Sequence, residues 1–370
     1  MLKLISLAVA FVATALAIQP AASFGGAPPA LTPGIWANIT PPATGFATTF
    51  GIAQMTFDPN NPNTLYACID TLGLWKSRDR GSTWAKIGTL DSPIQVEVDP
   101  GNSNHLVATQ GVRGKTLGFW VSRDAGNTWA MPSGFATVSA ATTNDVTSMS
   151  VDPSNFNHIL VGSHSPWKGL SNAGVMETKD GGTTWVTHAP DPSWPSGSVG
   201  LNFLFDPASK QGDANTWLVM TDGQGTWRTS NAGSTWTKVA DFNTPHGGAH
   251  LFYATNGTAY SGSTPYPVRS TDNGLTWTQI TNGLSFFYYY GIWGDGTTLY
   301  AQLSYTGNNA GQGPQPYRTS PESDGSTWTA YHGGTQTFND GPFMMRYDSI
   351  NGIMYSANWA SGLWALKVQR

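Results

Sequence analysis

One eight-residue phrase recurs along the chain and constrains its fold more than any other feature. SRDRGSTW begins at Ser77, SRDAGNTW at Ser122, TKDGGTTW at Thr178, TSNAGSTW at Thr229 and STDNGLTW at Ser270. A looser copy, SPESDGSTW, ends at Trp328. The closing tryptophans Trp84, Trp129, Trp185, Trp236, Trp277 and Trp328 stand 45, 56, 51, 41 and 51 residues apart. That is the period of a propeller blade.

Each unit repeats one internal order. MTFDPNNPNTLYACIDTLGLWKSRDRGSTWAKI reads as a strand ending at Asp58-Pro59, a turn, a strand TLYACI, a strand GLWKS, the phrase, and a last strand TWAKI. VEVDPGNSNHLVAT and MSVDPSNFNHILVG open the next two units in the same way. Four strands per unit make a blade. The C-terminal MMRYDSINGIMYSANWASGLWALKV supplies only three strands, and GIWANIT, from Gly34, matches the missing fourth. The expected fold is therefore all-β, a seven-bladed β-propeller of four-stranded blades, closed by an N-terminal strand that completes the last blade. Closure removes the exposed sheet edges. It also suits a chain whose single cysteine, Cys68, allows no internal disulfide.

Repetition also assigns the phrase a role. Ser or Thr and Asp can tie a tight turn to its own backbone, Gly supplies the positive φ, and Trp wedges against the sheets. Catalysis needs a carboxylate once, whereas a scaffold device is needed in every blade. Asp79, Asp124, Asp180, Asn231 and Asp272 are accordingly read as structural.

At the N-terminus, one lysine precedes an apolar stretch from Leu4 to Ile18 with small residues at Ala15 and Ala17. Residues 1–23 read as a secretory signal, cleaved after Ala17 or after Ser23, with a single propeller domain over 24–370. The expectation is a secreted, extracellular protein, a monomer without a membrane helix. Charged residues make up 11% of the chain and the net charge is −4, so nothing favours a nucleic-acid backbone or a membrane surface. The sequons at Asn38 and Asn256 are candidate glycosylation sites.

The phrase is the Asp-box, or BNR, motif, and the chain resembles the Asp-box propellers. The segment GIAQMTFDPNNPNTLYACIDTLGLWKSRD most resembles the opening blade of glycoside hydrolase family 74, the xyloglucanase-like enzymes. Sialidase-type and sortilin-type propellers are more distant. The resemblance implies a secreted glycoside hydrolase acting on a plant or microbial polysaccharide, and it places a catalytic base on Asp70. Thr71-Leu72-Gly73 stands where the family has paired glycines.

Other candidates come from the loops that should share a face with Asp70. Hydrolysis needs two carboxylates across the scissile bond, and Asp145, Asp222 and Asp340 are possible partners. Elimination on a uronate-containing glycan needs a cation and a proton carrier. His164, His246, Arg113, Lys115, Lys168 and Tyr288 to Tyr290 keep a polysaccharide lyase open as an alternative. Trp167, Trp194 and Trp359 are candidate stacking platforms, with Tyr289, Gln54 and Gln95 as further substrate contacts. His246 and His250 lie close in sequence, but neither HExxH nor a third ligand accompanies them, so no metal or cofactor is expected. A non-catalytic glycan- or protein-binding propeller is the third alternative.

Overall fold

In the computed structural model, residues 26–369 are described apart from 47–48, 191–192, 195–196, 198, 207–210, 247 and 305–310. The expected signal segment lies outside the described residues. Seven antiparallel sheets follow one another along the chain. Blade 1 is built from Ile52–Asp58, Asn61–Ile69, Gly73–Ser77 and Ala85–Ile87, and the later blades repeat this order from the innermost strand to the outermost.

The last blade confirms the closure read from the sequence. Trp36–Asn38 pairs with Leu363–Lys367, with Trp36 opposite Leu366 and Asn38 opposite Trp364. Gln336 clamps this strand at both ends of one residue: its Oε1 accepts from Trp36 N at 3.1 Å, and its Nε2 donates to Trp36 O at 2.9 Å. The Trp36 ring is stacked on Tyr317 at 4.6 Å between centroids and is 2% exposed. Burial of one such ring contributes about 1.5–3 kcal/mol. At the neighbouring seam Gly51 is obligatory. It has φ +83°, and a Cβ there would stand 2.2 Å from the Trp359 carbonyl oxygen, which accepts from Ile52 N.

The repeated turn has the same bonds in its five regular copies. In the first copy, Ser77 Oγ donates to Asp79 Oδ1 at 2.8 Å and accepts from Gly81 N at 2.8 Å. Asp79 also accepts from Thr83 N and Thr83 Oγ1, and Trp84 Nε1 donates to Gly81 O. Asn231 keeps the geometry as an amide, with Oδ1 accepting from Thr235 N and Nδ2 donating to Thr235 Oγ1. Asp124, Asp180 and Asp272 make the matching contacts with Thr128, Thr184 and Thr276.

Blade 2 departs from the pattern. It has three full strands, and its outermost position shrinks to the bridge between Val121 and Ala130. Pro132 follows at once and leads into an α-helix, Ser133–Ala141, which the sequence reading did not anticipate. Pro lacks the N–H that a longer outer strand would need.

The inner strands are sewn to one another by side chains. Gln54 Oε1 accepts from Val96 N, Gln95 Oε1 from Met149 N, Ser148 Oγ from Leu201 N and Asn202 Oδ1 from Leu251 N. Gln95 and Asn202 also donate to Met149 O and Ala249 O. Side chains of the inner strand thus pin each of the first four blades to the next. This corrects the expectation that Gln54 and Gln95 contact substrate: their amides are buried, Gln95 on Met149 backbone and Gln54 between Val96 N and the Glu97 carboxylate.

Candidate active site

Every inner strand starts on one face of the ring and ends at a turn on the other. Loops joining second to third strands, and fourth strands to the next blade, therefore gather on the starting face. Asp70, Arg113, Asp145, His164, Asp222 and His246 all lie in such loops.

Asp70 follows strand Asn61–Ile69, and its own N–H is held by Gly51 O. Its Oδ1 accepts from Arg113 Nε at 2.7 Å and Ser92 Oγ at 2.9 Å, while Oδ2 accepts from Phe50 N at 3.2 Å. Arg113 also lies over the Phe50 ring, 3.8 Å from its centroid. At 1% exposure Asp70 is closed off from solvent, whereas the Arg113 side chain keeps 33% of its surface.

A tight turn at 111–114 joins this pair to the next blade. Val112, at φ +45°, donates its N–H to Asp145 Oδ1 at 2.7 Å, one residue before Arg113 reaches Asp70. Asp145 Oδ2 accepts from His164 Nδ1 at 2.9 Å and from Ser165 Oγ. Burial alone would raise the Asp145 pKa, but the bonds from His164, Ser165 and Val112 outweigh it and hold the carboxyl below its ordinary value.

From His164 the chain of contacts crosses to a loop that enters blade 5. His164 Nε2 faces His246 Nε2 at 3.2 Å, with the rings 84° apart, and His246 Nδ1 bonds Asp222 Oδ2 at 3.0 Å. Both Nδ1 atoms serve carboxylates, so they carry the hydrogens, and the two Nε2 atoms point at each other. The Asp145 and His164 side chains are 13% and 21% exposed, and His246 and Asp222 are 66% and 44% exposed. The arrangement offers solvent-facing proton donors and acceptors in one row.

The aromatic candidates are placed differently, and their expected role is corrected. Trp167, Trp194, Trp359 and Tyr289 are 5%, 2%, 8% and 1% exposed, so none presents a face for a sugar ring. Trp167 folds back on its own blade, donating to Ser163 Oγ at 2.7 Å across Gly174, where a Cβ would meet the indole at 2.6 Å. Trp194 sits against Trp227 and Trp236, and Trp359 against Phe343 and Tyr290. Long loops rich in aromatics here fill space between blades. Lys168 is exposed on the shared face, and Asn38 and Asn256 are exposed with their Oδ1 atoms capping the Thr40 and Thr258 N–H groups.

His250 parts company with His246. It lines a cavity of about 1060 Å³ in the channel, together with Glu97, Trp293, Phe252, Tyr347 and Arg346, toward the opposite face of the ring. Burial, with Arg346 nearby, pushes the His250 pKa down to about 3. Arg346 is ion-paired to Glu97 across this channel. Sequence reasoning missed Ser165 and Ser92, for which the only signal was adjacency to His164 and a position just before a first strand.

No family model matches the chain. It is 25% identical over 267 residues to a xyloglucanase of Hypocrea jecorina (strain QM6a), covering 65% of this chain and 27% of that protein. Among solved structures, an ancestral GH74 enzyme superposes with a TM-score of 0.64 at 19% identity, over 91% of this chain and 46% of that one. YCF48 from Cyanidioschyzon merolae gives 0.60 at 10% identity, over 89% and 97%. The chain spans about a quarter of the length of the curated relatives it matches. It is a seven-bladed propeller with a distant likeness to xyloglucanases and to the propellers of GH74 enzymes.

Proposed function

We propose that the protein is a secreted carbohydrate-active enzyme, a glycoside hydrolase that works on a plant or microbial polysaccharide from the loop face. The observation that carries this reading is the solvent-facing row Asp145–His164–His246–Asp222. Hydrolysis needs an acid at the leaving oxygen and a base for water. The imidazole pair supplies the acid, and half-exposed Asp222 supplies the base. Buried Asp70 acts as a positioning residue for Arg113, because its oxygens already hold three donors. The likeness to a xyloglucanase supports the substrate class.

One observation favours a second reading, β-elimination on a uronate-containing glycan. The exposed proton-transfer groups are imidazoles, and Lys168 and Arg113 stand on the same face as cations for a uronate carboxylate. A polysaccharide panel read by both reducing ends and the ultraviolet absorbance of unsaturated uronates decides between them. Reducing ends alone indicate hydrolysis, and both signals together indicate elimination. His164→Gln is expected to lower either rate about 10²–10⁴-fold. Glycan retention without any product would make the face a binding surface and end the enzymatic reading.

A further inference from the structure

We infer that His164 and His246 form a binding site for a divalent first-row transition-metal ion of the zinc type. The sequence pointed to His246 and His250 as neighbours, without a third ligand. The folded chain sends His250 into the channel and brings His164 to His246 from 82 residues away.

Three features of the pair fit a metal. The first is the bite. Two ring nitrogens bound at about 2.0–2.1 Å to one tetrahedral ion stand about 3.3 Å apart, and the two Nε2 atoms stand 3.2 Å apart. The second is the tautomer. Asp145 and Asp222 each hold an Nδ1–H, at 2.9 and 3.0 Å, which leaves the Nε2 lone pairs as the inward-facing groups. A carboxylate behind each ligating imidazole is the usual outer support of a histidine metal site, and it raises ligand basicity. The third is access. His246 is two-thirds exposed, and among the described residues no further His, Cys, Asp or Glu completes a set of three.

An ion held there would present a Lewis acid to an oxygen of a bound substrate. The competing occupant is a single shared proton. The proposal concerns the same site as the proposed glycan cleavage but does not need that activity, so it is tested without substrate.

Untagged protein, stripped with a chelator, is titrated with Zn²⁺ by calorimetry and with Co²⁺ by visible absorption. One ion per chain is expected, with the intense bands of four-coordinate Co²⁺. His246→Gln should weaken binding more than a hundredfold, and Asp222→Asn about ten- to a hundredfold. Circular dichroism checks that both variants fold, which their exposed positions favour. Absence of stoichiometric binding, or equal binding by wild type and His246→Gln, overturns the metal and leaves the shared proton. Cleavage of glycan by the chelated protein would separate the two proposals.

Discussion

Blade 3 carries two histidine–carboxylate chains of nearly the same composition, and only one of them faces solvent. Toward the Asp152-Pro153 turn, His158 Nδ1 meets Asp152 Oδ2 at 3.0 Å and His158 Nε2 meets Glu177 Oε1 at 2.8 Å. Glu177 Oε2 takes His188 Nε2 at 3.0 Å, and Lys179 Nζ lies 3.2 Å from Oε1. His158, Asp152 and Glu177 are each under 5% exposed, and the Trp217 ring stands edge-on to His188 at 5.0 Å. At the loop end of the same blade, Asp145 and His164 continue outward to His246 and Asp222. The residue types alone do not separate a scaffold from a reactive centre. What separates them is exposure: one row is closed off from solvent, whereas the other brings the Nε2 atoms of His164 and His246 together at the surface.

The largest effect that would sharpen this contrast is on stability. Glu177→Ala leaves His158, His188 and Lys179 without their shared partner, and removal of one member of a buried ionic network typically destabilises by about 3–5 kcal/mol. Chemical denaturation should show that loss, while His246→Gln should leave the midpoint in place. Equal destabilisation by both variants would break the comparison.

Acid comes next. Burial by itself would raise the Glu177 pKa, but His158, His188 and Lys179 hold the carboxyl well below its ordinary value of 4.5. A folded-state pKa below the unfolded one means that this stabilisation is complete above about 4.5 and is lost as the pH falls further. The melting temperature should therefore drop on acidification below that point, and it should drop less steeply in Glu177→Gln.

The smallest effect is expected at the exposed member of the buried chain. Lys179 keeps 61% of its side-chain surface, so Lys179→Met should change stability by under about 1 kcal/mol in the same denaturation assay. A larger loss would show that the lysine, rather than the imidazoles, holds Glu177.

Most of the fold was legible because its signal is repeated. The turn repeats a hydroxyl, an Asp or Asn and a glycine in five regular copies, so its period gave the size of a blade. GIWANIT gave the closing strand because it repeats the tryptophan of the outer strands. The site was legible only as a list. Asp145, His164, Asp222 and His246 stand out as polar residues in loops of one face, but their order in space depends on contacts across 82 and 24 residues. The tryptophans misled for a physical reason. In a loop sequence, nothing distinguishes a ring that will meet a ligand from one that folds back over a glycine, as Trp167 does at Gly174. Gln54 and Gln95 misled because a channel-facing strand position can still reach the backbone of the adjacent blade.

The clamp on Trp36 has a consequence for how the ring is made. The strand Trp36–Asn38 leaves the ribosome among the first segments of the propeller, yet its partner Leu363–Lys367 is among the last. Six blades can be complete while this strand still waits for its sheet. Until residues 317–336 have been made, Trp36 has neither Tyr317 to stack on nor Gln336 to hold it, and an uncovered apolar ring of this kind is what makes a partly folded chain prone to aggregate.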